Sequence, residues 1–219
     1  MTQSVHDRLV YYTEAEELAN RITHGLGALL SLIGLVVLIM AASSTGDPWR
    51  IVSCTIYGTV LTSFYVISTI YHSVRPPHLR YLFRILDHAG IYLVIAGSYT
   101  PFALVSLRGA WGWSLFGTVW GLAVAGVIFK VFMTHRLRII APVFYIAMGW
   151  IAVIAFKPLL TALTPAGMGW LVAGGVAYTG GIVFYAWDRI PYNHAIWHVF
   201  VLVGSACHFF SVLWYVLPL

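Results

Sequence analysis

The sequence predicts an all-α integral membrane protein: a bundle of seven transmembrane helices forming one domain over residues 1–219. Three observations carry this. The chain is 60% apolar and 16% aromatic. Only 9% of its residues are charged, where an ordinary soluble domain has about a quarter. The apolar residues fall in long runs, with neither the alternation of a strand nor the one-sided stripe of a soluble helix. The same composition excludes a disordered chain, which needs few apolar residues and much charge. Two cysteines also exclude a disulfide scaffold, since they make one bridge at most.

Residues 1–21, with Asp7, Arg8, Glu14, Glu16 and Glu17, form a polar N-terminal segment. The hydrophobic stretch behind it runs too long for a signal-peptide core, so the first span is expected to stay in the mature chain. Spans are predicted near 22–42, 50–73, 84–107, 111–133, 139–157, 168–187 and 192–217, each long enough as a helix to cross roughly 30 Å of hydrocarbon. Pro48, Pro76, Pro77, Pro158, Pro165, Pro191 and Pro218 sit at span ends or in loops, where a missing N–H costs least. Pro101 falls inside the third span and predicts a kink, with Ser98 or Thr100 available to satisfy freed backbone groups. Gly117, Gly121, Gly174, Gly175, Gly180 and Gly181 are expected to mark close helix packing, and Trp49, Trp111, Trp113 and Trp170 to anchor span ends at the interface. Cys54 and Cys207 differ too much in depth to pair.

Orientation follows from the basic residues. Arg8, Arg21, Arg75, Arg80, Arg84, Lys130, Arg136, Arg138 and Arg189 lie on the N-terminal side, against Arg50, Arg108 and Lys157 on the other. The positive-inside rule then puts the N-terminus in the cytoplasm and the C-terminus outside. The net charge of +5 reports topology, because it is spread over short juxtamembrane segments instead of a concentrated face for nucleic acid.

Arg50, Arg84 and Lys157 stand at the first or last residue of a predicted span; the charged residues farther inside are two, Asp87 and Lys130. Lys130 lies about one turn from a span end and is expected to snorkel to the interface. Asp87 has no stem for that and needs partners. Histidines supply them: His72 ends the second span, His88 opens the third beside Asp87, and His194 and His198 open the seventh, all at one end of the bundle. His194 and His198, four apart, are about 40° apart on a helix and face the same way, as a helix offers two nitrogens to one metal. Alone, HxxxH is common by chance. With a third imidazole at matching depth, it makes the three-histidine type of catalytic zinc site with one open position. Ser68, one turn before His72, either orients that imidazole or a bound water, or bonds its own backbone. Asp87 either binds metal directly or acts through water as general base or as a partner of the ligands. His208, roughly 15 Å beyond His198, is too far to share the metal and is expected to pack or line a cavity. His24 is expected at the interface, near the rim of the site. His6, His78 and His135 receive no role.

The segments Glu17-Leu-Ala-Asn-Arg-Ile-Thr-His24-Gly, Ser68-Thr-Ile-Tyr-His72, Leu86-Asp87-His-Ala-Gly-Ile and His194-Ala-Ile-Trp-His198, ending in Cys207-His208-Phe, resemble the haemolysin III proteins. These form the bacterial branch of the progestin and adipoQ receptor family. The resemblance implies seven helices with a cytoplasmic N-terminus in a bacterial inner membrane. It also implies a zinc held by His72, His194 and His198, with Ser68 and Asp87 beside it. The receptor branch is similar to alkaline ceramidases, which hydrolyse lipid amides, and other members are linked to membrane lipid homeostasis.

Three functions follow. The first is a zinc-dependent intramembrane hydrolase of a lipid amide or ester, with membrane lipids as partners. The second is a sensor of membrane state with a structural zinc. The third is a pore-forming cytolysin, for which no span carries a polar stripe suited to a wide aqueous channel.

Overall fold

In a computed structural model, residues 9–133 and 140–218 are described. His6, Asp7, Arg8, His135, Arg136 and Arg138 lie outside the described residues. The described chain is helical: α1 (Glu14–Ser43), α2 (Pro48–Tyr71), α3 (Pro77–Pro101), α4 (Ala110–Met133), α5 (Ile140–Gly149), α6 (Phe156–Ala162), α7 (Pro165–Ala186) and α8 (Asn193–Ser211). Six spans are long and apolar enough to cross a membrane, and α5 with α6 makes a seventh when taken as one bent crossing. Proline sits in the first turn of α2, α3 and α7, where its missing N–H leaves no gap in the helix ladder.

Polarity is arranged for lipid. The exposed large side chains are Leu, Ile, Val and Phe along α1, α4, α5 and α7, whereas Glu17, Asn20, His24, Ser68, His72, Asp87 and His198 are buried. Only lipid makes the first set comfortable outside. The helix at the centre is α3, with 78% of its most apolar window buried, against 22% for α1. It packs between α2 and α4, α1 packs on α2 and α8, and α7 packs on α8.

Two backbone features go beyond the sequence reading. Past Pro101 the third span continues as a π-helical turn over Phe102–Ser106, closed by Leu107 N–H on Phe102 O at 2.9 Å. Thr100 bonds Ala96 O at 2.9 Å and Ser98 bonds Ile95 O at 2.8 Å, so neither hydroxyl reaches the Gly97 carbonyl that the proline leaves free. The fifth span, expected near 139–157, runs from α5 through a 3-10 turn at Trp150–Val153, bends by 58° and continues in α6 to Ala162.

Glycine packing is also redistributed. A Cβ at Gly117 or Gly121 would meet nothing within 4 Å, so these two face open space and do not mediate contact. Gly174 and Gly181 do lie under neighbouring side chains, His208 and Phe200. Between α1 and α2 the close approach is at Gly58, where a Cβ would stand 2.5 Å from Leu35 Cδ1 and 3.1 Å from Leu35 Cα.

At the end of the bundle away from the histidines, Asp47 caps α2 by accepting the Trp49 N–H at 3.0 Å. It also faces Arg50 at 3.7 Å and pairs with Arg108 before α4. Desolvation pushes this carboxyl up, but the Trp49 N–H, Arg108 and Arg50 outweigh it and hold it below its ordinary value.

Gly58→Leu should destabilise the bundle by about 1–3 kcal/mol through overpacking against α1, while Gly117→Leu should leave thermal unfolding in detergent unchanged. Because the Asp47 carboxyl is depressed in the folded protein, its contribution is present above the unfolded carboxyl range and is lost as pH falls through the folded one. Asp47→Asn should therefore flatten the acid limb of the melting-temperature profile.

Candidate metal centre

Four helix ends meet at the N-terminal end of α1. Thr13 caps α1 in a reciprocal box with Glu16, and the Glu16 carboxylate also accepts the Tyr192 N–H at 3.2 Å. Tyr192 stands in the left-handed region at φ 57°, where the chain turns sharply into α8. That turn brings His194 and His198, on successive turns of α8, against α1 and α2. His72 is the C-cap of α2, and Asp87 sits in the third turn of α3.

His72, His194 and His198 are 2%, 4% and 0% exposed, and a ligating nitrogen from each lies within 4.8 Å of the others. Their ring centroids are 4.5–5.2 Å apart. The hydrogen bonds at Nδ1 fix what two of the rings present. Thr23 Oγ1 gives its single proton to the Ala19 or Asn20 carbonyl at 2.9 and 3.0 Å, so at His198, 3.1 Å away, it accepts from Nδ1. Nε2 of His198 is then a bare lone pair, buried without a partner. His72 Nδ1 donates to Glu17 Oε2 at 2.7 Å, and its Nε2 is likewise buried without a partner. Orphaned lone pairs on neutral imidazoles are costly in a membrane interior unless something is bound there. Three converging imidazoles, His72, His194 and His198, suit zinc among the divalent ions.

Asp87 is buried and lies outside the group of converging ligand nitrogens. It is hydrogen-bonded to Ser68 and faces His72, Lys130 and Arg84, with His88 Nδ1 at 3.5 Å. Ser68 Oγ is 2.6 Å from His24 Nδ1. Because the carboxylate accepts the hydroxyl proton, Ser68 accepts from His24. The His24 ring stacks on His198 at 3.4 Å between centroids.

Above the histidines the N-terminal strand of the chain forms a strap. The Arg80 guanidinium pairs with Glu17, donates to Val10 O at 3.2 Å, and stacks over the rings of Tyr71 and Tyr11. The next residue, Tyr12, lies 5.0 Å from the His194 ring and 6.2 Å from that of His72.

On the other side, toward the middle of the bundle, an apolar cavity of roughly 100 Å³ is lined by Ile91, Tyr145, Trp150, Tyr178, Trp197 and His208, among others. Trp197 connects the two regions: it lines the cavity and lies 5.1 Å from the His194 ring. His208 bonds Leu171 O at 3.2 Å and lines the cavity, as the sequence suggests.

The structure thus gathers all five residues expected at the site: His72, His194, His198, Asp87 and Ser68. It corrects two others. His24 is fully buried between Ser68 and His198, not interfacial. Lys130 is 3% exposed and points at Asp87 and Arg84, because a carboxylate within reach is a better partner than a distant headgroup. Glu17, Thr23 and Arg80 were missed. Their signal was present: Glu17, Asn20 and His24 recur at three and four residues, one face of a helix that starts before the apolar run does.

A family model described as "Haemolysin-III related" matches residues 12–209. The chain is 50% identical to "Hemolysin-3" of Bacillus cereus over 93% of each chain. It is 47% identical to "Hemolysin-3 homolog" of Bacillus subtilis (strain 168), over 93% of this chain and 96% of that one. The human "Monocyte to macrophage differentiation factor" is 31% identical over 90% of this chain and 83% of its own. No solved structure matches. With nearly its whole length matched, the chain belongs to the haemolysin-III-related family of multi-pass membrane proteins.

Proposed function

We propose that this protein is a zinc-dependent hydrolase of a lipid amide or ester, acting in lipid homeostasis of a bacterial inner membrane, with the histidine end of the bundle in the cytoplasm. The observation that carries the reading is the convergence of three buried imidazoles beside a buried carboxylate, with Trp197 between His194 and an apolar cavity. The orientation is supported by the arginine and lysine distribution. Setting aside the buried Arg80, Arg84 and Lys130, six basic residues still stand on the N-terminal side against three.

His72, His194 and His198 would hold the metal, which when bound supplies a Lewis acid for a carbonyl and for water. Asp87 is placed to take a proton from attacking water and return it to the leaving nitrogen or oxygen. Lys130 and Arg84 balance its charge while it is ionised. Ser68 keeps its oxygen toward Asp87 and His24, positioned to orient water or the carbonyl oxygen. The cavity behind Trp197, with an almost wholly apolar lining, would take a few carbons of an acyl chain and would have to widen to take more.

A second reading has one observation in its favour. His72 is on α2 and His194 and His198 are on α8, two helices that share little packing, so a metal here would staple them. In that case the protein senses membrane state and the zinc is structural.

Purified protein in lipid nanodiscs, loaded with zinc, should release fatty acid from a panel of N-acyl and O-acyl lipids. His72→Ala and His198→Ala should lose both zinc and turnover. Asp87→Asn and Ser68→Ala should keep zinc, with turnover falling about 10²–10⁴-fold for the aspartate and less for the serine. Stoichiometric zinc in a folded wild-type protein that cleaves no member of the panel would leave the structural reading standing.

A further inference from the structure

We infer that Glu17 is a positioning residue of the metal centre: it fixes the orientation and tautomer of His72 and makes that imidazole a stronger donor than His198. This rests on the reading of the three histidines as metal ligands.

The first ground is where His72 sits. His194 and His198 project from the first two turns of α8, whose backbone fixes their separation. His72 is the C-cap of α2, the last residue held by the helix ladder through its N–H to Ser68 O at 3.1 Å. Its ring needs an external hold, which is the bond from Nδ1 to Glu17 Oε2 at 2.7 Å, with the side chain of His72 itself fully buried.

The second ground is the chemistry of the acceptor. An ionised carboxylate only accepts hydrogen bonds, so Nδ1 must carry the proton and Nε2 must present its lone pair toward His194 and His198. His198 is held by a neutral hydroxyl, Thr23 Oγ1, at the longer distance of 3.1 Å. A carboxylate behind an imidazole raises its basicity as a ligand, and a hydroxyl does so less. The centre is therefore asymmetric, with the anionic support at His72.

The third ground is that Glu17 is itself held on both oxygens. Oε2 takes His72, and Oε1 pairs with the Arg80 guanidinium, which is fixed in turn by Val10 O and the faces of Tyr71 and Tyr11. Glu16, its neighbour, faces the other way, toward the α1 cap and Tyr192. Three helices thus converge on one carboxylate whose free end points at a single ligand.

Zinc affinity, measured on full-length protein in nanodiscs by competition with a chromophoric chelator, tests this without reference to turnover. Glu17→Gln should bind zinc roughly 10–100-fold more weakly, and Thr23→Ala should lose less. Glu17→Asp, which keeps the charge on a shorter stem, should recover part of the loss. In cobalt-loaded protein the visible absorption should shift in Glu17→Gln at unchanged metal stoichiometry. Should the variants fail to fold, ¹⁵N-histidine spectra of wild-type protein serve alone, and must show His72 protonated at Nδ1. Wild-type affinity in Glu17→Gln, or His72 protonated at Nε2 in the metal-free protein, overturns the inference. A wild-type protein that takes up no zinc ends the metal reading, and this one with it.

Discussion

One buried carboxylate ties three helices together at the end of the bundle where the chemistry-bearing residues gather. Glu17 on α1 bridges His72 at the end of α2 and Arg80 near the start of α3. In a membrane protein such a bridge is consequential, because hydrocarbon offers no water to take over a broken bond and an uncompensated ion pays its full desolvation. The residues around it follow the same constraint. Arg80 spends its remaining donors and its face on Val10, Tyr71 and Tyr11, and Asp87 is matched by Lys130 and Arg84. In this crowded polar end the Nε2 atoms of His72 and His198 are buried without a partner, as are Nε2 of His24 and the side-chain amide of Asn20.

The strap and the cavity give this end two faces of opposite character. Val10, Tyr11 and Tyr12 lie across the histidines on the polar side, held by Arg80. Trp197 stands on the other side, where the apolar cavity begins. A reaction joining water to a lipid carbonyl needs both solvents within a few ångströms of one point. In the proposed hydrolase these two faces would bring water and the lipid carbonyl to one point.

Much of this was legible in the chain. The spans follow from run length, and the histidines could be brought together on paper because their depth is set by counting residues from span ends at a fixed rise. What escaped notice did so for definable reasons. Glu17 and His24 were assigned to a polar tail and an interface because hydropathy marks where a helix meets lipid, whereas α1 begins at Glu14, where the Thr13 cap starts it. One face of those first turns, with Glu17, Asn20 and His24, is buried against the bundle. Lys130 was assigned to the interface because a sequence shows the length of its stem and not the carboxylate facing it from α3. Gly117 and Gly121 were assigned to helix contacts, but small residues permit close approach without requiring it, and here no partner comes. The π-turn after Pro101 has the same origin: the residue fixes that a donor is missing, and the packing around α3 decides how the helix closes over the gap.

The asymmetry of the three histidines bears on how the site could have become catalytic or stayed structural. A purely structural clamp gains from equivalent, strongly held ligands on a closed metal. Here His72 is backed by an anion, while His198 leans on neutral groups, the Thr23 hydroxyl, the Asn20 backbone and the flat face of His24. Asp87 and Ser68, joined to each other, stand beside the nitrogens without belonging to their converging set. A carboxylate kept at that remove, with two cations to hold its charge and a hydroxyl to hold its direction, is better suited to exchanging a proton than to completing a cage. The arrangement of the protein's own groups therefore favours chemistry over a staple, on grounds independent of any relative's name.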